Sequence, residues 1–374
     1  MAGSDPRRER RRVDLASALG VTRVARLTGL DRTGVEVAAA VRPDGHVLQV
    51  STGKGEAWQD AARGALAEAA ELWAAERPLS LLTGTAEALR RRFGERGVLG
   101  PGELAPDQAS PGWDALRLGW RAADDLSTGR PCLVPAHAVH CPPPGAEPLG
   151  AAVVPWTSNG MGAHRSREAA LLHALLEACE RDQLARALPS GFTPAAVRRR
   201  LLLPGSLARA APRAARWVAR LEAAGFGVHL LDAGAGLGLP CAACVLVDER
   251  GGPVPVAAGY ACRLTRDGAL LAALLEAAQS RLTEIHGARE DVLHGEREAA
   301  LPLAGLLGRA RPTHRAADLP AAGATSPRAA IRLVLARLAR AGHARVVAVD
   351  LAGPPGLEVV KVLVPSLRRS ELLG

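Results

Sequence analysis

Lysine is almost missing from this chain of 374 residues: Lys54 and Lys361 are the only two, and arginine supplies the rest of the 47 basic residues. Tyrosine occurs once, at Tyr260, and aromatic residues make up 3% of the sequence. Stacking platforms for single-stranded nucleic acid are hard to build from so few rings. The formal net charge of +9 is then better matched to nucleotide phosphate or an acidic peptide than to nucleic acid. No stretch approaches the run of about 20 apolar residues that a membrane helix needs. Neither a GxxxxGK[ST] loop nor a GxSxG elbow occurs, which removes P-loop and serine-hydrolase chemistry. The start of the chain lacks the pattern of a secretory signal, and without one, six cysteines fit a reducing cytoplasm better than a disulfide framework.

What remains is the composition of an ordinary globular protein, 48% hydrophobic and 23% charged, with enough length for a substantial core. Residues 1–12 read as a basic N-terminal tail holding Arg7, Arg8, Arg10, Arg11 and Arg12, and residues 13–374 as a single domain. Pro- and Gly-rich loops near 98–112 and 141–150 are short and flanked by no shift of composition, so neither is a linker. A hairpin is expected over 35–51 around Pro43-Asp44-Gly45, and a second around Gly251-Gly252. Further strands are expected at 151–156, near His229, up to Ala352 and up to Pro365. Helices are expected near 58–76, 166–188, 207–223, 267–286 and 328–342. Strands and helices interleave without a βαβ rhythm, which predicts an α+β fold of mixed sheets with packed helices.

One segment recurs three times: Ala65-Leu66-Ala67-Glu68-Ala69, Ala174-Leu175-Leu176-Glu177-Ala178 and Ala273-Leu274-Leu275-Glu276-Ala277. Each lies in an expected helix after a strand and a glycine-bearing turn, making three related strand-turn-helix segments. Three residues beyond each glutamate stands Glu71, Glu180 or Gln279. The i,i+3 spacing puts both members of a pair on one helical face. Paired carboxylates among Ala, Leu and Cys are untenable unless a cation compensates them. Magnesium bridging protein carboxylates to polyphosphate oxygens suits such a set, so the residues point to a magnesium-nucleotide site. A competing reading makes His173, Glu177, Glu180 and Arg181 the solvated stripe of an amphipathic helix. For one helix alone that reading is the stronger; three copies bring the two level.

The glycine-flanked Lys54 stands in a chain that otherwise uses arginine, which hints at a need for a compact ammonium. Lys361, inside a strand-like run, shows no such reason. Cys241 and Cys244 are spaced like metal ligands, but in a strand i and i+3 point to opposite faces. His137, His140 and Cys141 have ligand-like spacing without a second matched pair. Gly234, Gly236 and Gly238 resemble a dinucleotide loop, yet Pro240 and a strand follow where a helix is required, so they form a turn.

The runs VTRVARLTGLDRTGVEV, STGKGEAWQDAARGALAEAAE, TSNGMGAHRSREAALLHALLEACERD, LLEAAQSRLTEIHGARED and VVAVDLAGPPGLEVVKVLVP together resemble the YcaO family in order over nearly the whole chain. The resemblance implies a YcaO-like ATP-binding fold, with ATP and Mg²⁺ as cofactors held by glutamates of several helices. It implies Glu68, Glu71, Glu177 and Glu180 as metal ligands, and Lys54, Arg181, Gln279 and Arg281 as nucleotide or phosphate contacts, with Glu276 in the matching third segment. The implied activity is ATP-dependent activation of a peptide backbone amide, giving azolines or thioamides in the maturation of ribosomal peptide natural products. The implied partners are a precursor peptide and a separate leader-binding or TfuA-like protein, because the chain is too short for a fused leader-binding domain and ends SELLG rather than in a proline-rich tail. A homodimer is the default assembly. The chain departs from the family at Gly64 and Leu72, in place of serine and arginine, and at His164, Arg165 and Ala169, in place of glycine, asparagine and a helix-entering glutamate. Glu168 is the nearest carboxylate that could stand in for that glutamate. These departures keep two alternatives open: a non-catalytic scaffold that binds a peptide or partner, and an accessory factor in methylthiolation of a ribosomal protein.

Overall fold

Three times along the chain an edge strand lies flat against a long helix, and small residues make the contact possible. A computed structural model describes residues 14–78, 80–145, 149–289, 291 and 297–368. The basic tail expected at residues 1–12 lies outside them. β1 (Arg23–Arg26), β2 (Glu36–Val41) and β3 (Val50–Gly55) lead into α1 (Trp58–Ala75). β4 (Leu82–Gly84), β5 (Leu118–Asp125), β6 (Arg130–Pro135) and β7 (Met161–His164) lead into α2 (Arg167–Ala187). After α3 (Pro212–Ala223), β8 (Phe226–Asp232), β9 (Cys241–Asp248) and β10 (Val256–Cys262) lead into α4 (Arg266–His286). α5 (Pro327–Arg340), β11 (Val347–Leu351) and β12 (Glu358–Leu363) complete the α+β architecture.

The strands form three sheets among the described residues, ordered β1-β2-β3, β10-β9-β8 and β4-β5-β11-β12-β7 with β6 on β5. Every ladder between these strands is antiparallel. Each sheet buries both faces, and each face goes to a different core. Val37 and Ala39 face the core they share with α3, α4 and one side of β9, while Ala38 and Ala40 face the core around α1. Val347 and Val349 turn to α1, whereas Ala348, Val360 and Val362 turn to α2 and α5. Cys241 and Cys244 fall in different cores, one on each face of β9, as their i,i+3 spacing in a strand requires. Burial on both faces explains why these strands read as nearly continuous apolar runs rather than alternating ones.

β3, β7 and β10 are all edge strands, and α1, α2 and α4 pack on them. Close approach is set by glycine. A Cβ on Gly53 would sit 2.1 Å from the Ala61 carbonyl oxygen, one on Gly162 2.3 Å from that of Ala170, and one on Gly259 2.2 Å from the Ala277 nitrogen. Gly64, in place of serine, belongs to the first of these contacts: a Cβ there would lie 3.3 Å from the Gly53 Cα, a tight contact that a shift of a few tenths of an ångström would relieve. Ser166 and Thr265 cap α2 and α4 by accepting from the Ala169 and Gly268 nitrogens, and Gly287 ends α4 in a left-handed conformation.

Both expected hairpins form, as do the long helices. The strand expected at 151–156 does not: Pro155 cannot donate to a ladder, the segment is a loop, and β7 begins only at Met161. The helix expected over 207–223 is broken, because Pro212 starts a new helix there. Strands β5 and β6 and the helices Ala86–Phe93 and Pro194–Arg200 were not anticipated; the two helices are too short for a periodic signal. Among the described residues no helix is long and apolar enough to cross a membrane.

The close contact predicts a contrast. Gly162→Ala should lower stability by about 1–3 kcal/mol through overpacking against the α2 backbone. Gly205→Ala, where no atom lies within 4 Å of the added Cβ, should stay within about 0.5 kcal/mol. Urea midpoints of the two variants check this.

Candidate functional site

An edge strand leaves a row of backbone N–H groups without a neighbouring strand. On β3, β7 and β10 glutamates from the three helices take them. Glu68 on α1 accepts from the Thr52 nitrogen at 2.5 Å, Glu177 on α2 from Gly160 at 3.3 Å, and Glu276 on α4 from Tyr260 at 3.3 Å. Each is the eleventh residue of its helix and bonds the chain just upstream of that helix. The residue three positions later reaches the next unit. Glu71 accepts from the Ala163 nitrogen at 2.8 Å, Glu180 from Cys262 at 3.0 Å, and Gln279 donates to the Thr52 hydroxyl at 2.7 Å. The three repeats thus close a ring: α1 to β7, α2 to β10, and α4 back to β3.

The solvated-stripe reading of α2 fails on this geometry. Glu180 is buried, and Glu177 and Arg181 face the ring. Yet the site is not dry. About a quarter to a third of the Glu68, Glu276, Lys54 and Arg181 side chains stays accessible, so they line a deep cleft open to solvent. A cavity of about 440 Å³ adjoins it between the starts of α1 and α4, with Gly55, Leu176, Arg213, Arg263 and Leu275 in its wall.

The carboxylates crowd one another. Burial raises the proton affinity of Glu68, Glu71, Glu177 and Glu180. Repulsion adds to it, from Glu177 and Glu68 on Glu71, from Glu180 on Glu177, and from Glu276 on Glu180. Glu177 reaches about 7. Glu276 goes the other way: burial would raise it, but Lys54 Nζ, 2.7 Å from its Oε2, holds it down. His173 alone of the α2 stripe stays exposed, and the surrounding protein together with Arg263, Lys54 and His164 disfavours its charged form.

Four glutamates raised by burial and mutual repulsion are a set that added positive charge would relieve. Among the described residues no three His, Cys, Asp or Glu side chains converge closely enough to cage a metal unaided. Mg²⁺ does not need such a cage: it takes one or two carboxylates and fills its octahedron with water and phosphate oxygens. A ready anion contact stands beside them. The Arg181 Nε is buried without a hydrogen-bond partner, 4.0 Å from Glu180. The residues present therefore fit a magnesium polyphosphate, with Lys54, Arg181 and Gln279 on its anionic side.

Arg281 does not join them. It is 1% exposed, and its guanidinium pairs with Asp31 at 2.9 Å and Asp248 at 2.8 Å, donates to the Val254 carbonyl and packs on Phe226. Five residues beyond Glu276 is about 140° around the helix, which turns Arg281 away from the cleft. Glu168 does not stand in for the missing glutamate either; it lies on the surface and pairs with Arg328 at 2.9 Å. Two residues escaped the sequence reading. Arg289, just past the Gly287 cap, places Nη1 3.4 Å from the Thr52 hydroxyl and 3.6 Å from Glu68. Lys361 is buried on β12, and its charge acts on both Glu71 and Glu177. The glycine cap before Arg289 and the rarity of lysine were the available signals.

Arg281→Met should cost about 3–5 kcal/mol, because Asp31 and Asp248 lose the guanidinium they share while remaining buried. Denaturant unfolding reads this cost. For Glu177, the folded protein holds a proton up to about 7, against 4.5 for the ordinary group. Its contribution is greatest below about 4.5 and is lost as pH rises through about 7. The metal-free unfolding temperature should therefore fall over that window, and fall less steeply in Glu177→Gln.

Residues 52–368 match the family described as YcaO cyclodehydratase, ATP- and Mg²⁺-binding. An uncharacterized protein of Methanothermobacter thermautotrophicus is 32% identical over 95% of this chain and 91% of its own length. An uncharacterized protein in the tfuA 3′ region of Rhizobium leguminosarum bv. trifolii is 31% identical over 93% of this chain and 84% of its own. Among solved structures, YcaO from Methanopyrus kandleri bound with AMPPCP and Mg²⁺ superposes with a TM-score of 0.69 at 25% identity, over 96% of this chain and 89% of that one. A heterocyclase in complex with substrate and cofactor shares the fold, with a TM-score of 0.71 at 20% identity; this chain covers half of it. A match running through all three strand-turn-helix segments, with relatives above 30% identity over more than nine-tenths of the sequence, makes this chain a member of the YcaO family, whose cofactors are ATP and Mg²⁺.

Proposed function

We propose that this protein binds ATP with Mg²⁺ in the cleft between α1, α2 and α4 and uses it to activate a backbone amide of a peptide. The observation that carries the reading is the ring of glutamates, raised by burial and by mutual repulsion and set beside Arg181, whose Nε has no hydrogen-bond partner. Glu68, Glu71, Glu177 and Glu180 would hold the metal. Lys54, Arg181 and Gln279, joined by Arg289, would face phosphate. Bound ATP supplies a phosphoryl group to take up the amide oxygen, which leaves as phosphate once a nucleophile has added to the amide carbon. The chain's own contribution is to fix the reactants in place and neutralise their charge. The adjoining 440 Å³ cavity is of the size that admits a small ligand or a short stretch of peptide.

Either a neighbouring Cys, Ser or Thr side chain or an external sulfide can serve as nucleophile, leading to an azoline or a thioamide. The relative in a tfuA 3′ region is the observation that favours a TfuA-like partner. The scaffold alternative draws its support from Glu168, which faces away from the cleft and leaves the place of the helix-entering glutamate to Ala169.

Calorimetric titration of AMPPCP into the protein, with and without Mg²⁺, separates the two readings. Binding should require Mg²⁺, and the double variant Glu177→Gln, Glu180→Gln should weaken it by about 100-fold or more. A folded wild type that binds no magnesium nucleotide would overturn the enzymatic reading and leave the scaffold.

A further inference from the structure

The 440 Å³ cavity opens beside the ring of glutamates, and one charge in its wall is unanswered. Leu176 and Leu275 in that wall stand one residue before Glu177 and Glu276, so cavity and ring share the backbones of α2 and α4. Three of the four charged wall residues are already paired. Glu56 binds Arg213 and accepts from the Trp217 indole at 2.8 Å, and Asp60 binds Arg63. Arg263 is different. Its Nη1 donates to the Cys262 carbonyl at 2.8 Å, and among the described residues no carboxylate lies within 4 Å of the guanidinium. Glu180 takes the Cys262 N–H at 3.0 Å, and the Arg263 N–H goes to the Pro240 carbonyl at 3.1 Å. Backbone bonds thus fix where this side chain starts, at the junction of ring and cavity.

We infer that this cavity seats the peptide to be modified and that Arg263 selects a peptide carrying a carboxylate close to the reacting amide. This rests on the magnesium-nucleotide reading of the ring. A carboxylate meets at Arg263 the planar fork that binds it through two parallel N–H···O bonds. The rest of the wall determines what accompanies it. Leu176, Leu264, Leu271 and Leu275 are aliphatic, and no aromatic ring lines the cavity. A nucleobase finds no face to stack on there, whereas an aliphatic side chain gains by leaving water. The ligand class is therefore a peptide with an apolar side chain and a carboxylate near the residue whose amide reacts. That carboxylate belongs either to an acidic side chain or to the peptide's own C-terminus; both present the same two oxygens, and the test separates them.

The test measures the binding of three tripeptides by ligand-observed NMR with AMPPCP and Mg²⁺ present. The first holds leucine, cysteine and glutamate and is capped at both ends; the second has glutamine in place of glutamate; the third ends in glycine with a free C-terminal carboxylate. Wild type should hold the first or the third on the order of tenfold more tightly than the second, the first if the carboxylate is a side chain and the third if it is the terminus. Arg263→Gln should bring all three within about twofold of one another, while its affinity for AMPPCP with Mg²⁺, read by calorimetry, stays within about twofold of wild type. A merely structural arginine would lower the unfolding temperature without changing the ratio of the peptide affinities. If Arg263→Gln fails to fold by circular dichroism, Arg263→Met carries the same expectation. A wild type that binds AMPPCP with Mg²⁺ but prefers neither carboxylate peptide overturns the inference and leaves the nucleotide reading standing, as does a preference that survives in the folded variant. A folded variant that loses the magnesium nucleotide overturns it too, by giving the cavity to the nucleotide. A wild type that binds no magnesium nucleotide overturns both.

Discussion

Backbone N–H groups on three sheet edges must find acceptors, and the rest of the molecule is arranged around the way they do so. Each sheet ends in an edge strand, β3, β7 or β10, whose outer N–H groups face the cleft rather than another strand. Carboxylates on α1, α2 and α4 accept them, which holds each glutamate in place through its backbone bond before any ligand arrives. An edge left bare would be a site for pairing with another chain; here the same groups become the fixed floor of a cleft. The helices must approach the strands closely for a glutamate to span the gap, which is why Gly53, Gly162 and Gly259 meet helix backbone where a Cβ has no room.

Charge is the second organising term. Carboxylates pinned together cannot spread apart to relieve their repulsion, so the protein places cations by position rather than in bulk. Lys54 pairs with Glu276, Arg289 lies 3.6 Å from Glu68, Arg181 lies 4.0 Å from Glu180, and Arg263 lines the adjoining cavity. Most other arginines serve packing or surface pairs. The net charge of +9 therefore says little about the cleft, whose electrostatics depends on a few side chains at fixed places. Arg281 and Arg181 show the distinction. Both follow the repeated glutamates, but at different helical offsets, and one sits in a closed ion pair with two aspartates while the other opens on the cleft.

Much of the candidate site was legible in the sequence because helical spacing is a local rule. Glu68 and Glu71, and Glu177 and Glu180, had to share a face at i,i+3 wherever the helices went. Arg289 and Lys361 were not legible, since they come to the cleft from a segment past a helix cap and from the last strand, and no local pattern links either to the glutamates. Glu168 and Arg281 were misplaced for a related reason. Proximity in sequence to a functional helix turn does not decide on which side of the helix a residue emerges, and their partners, Arg328 and Asp31, are more than 150 residues away.

Taken alone, the amino-acid sequence determined the hairpins, the long helices, the threefold repetition and the need of its paired acids for a cation, because turns, periodicity and i,i+3 spacing act within a few residues. Tertiary structure alone decided that the repeats close into a ring, that each second acid or amide reaches the next unit's strand, and that Lys361 pairs with Met161, between the two N–H groups that Glu177 and Glu71 take. Those contacts join residues up to 227 positions apart, where only the packing of three sheets around three helices sets the distance.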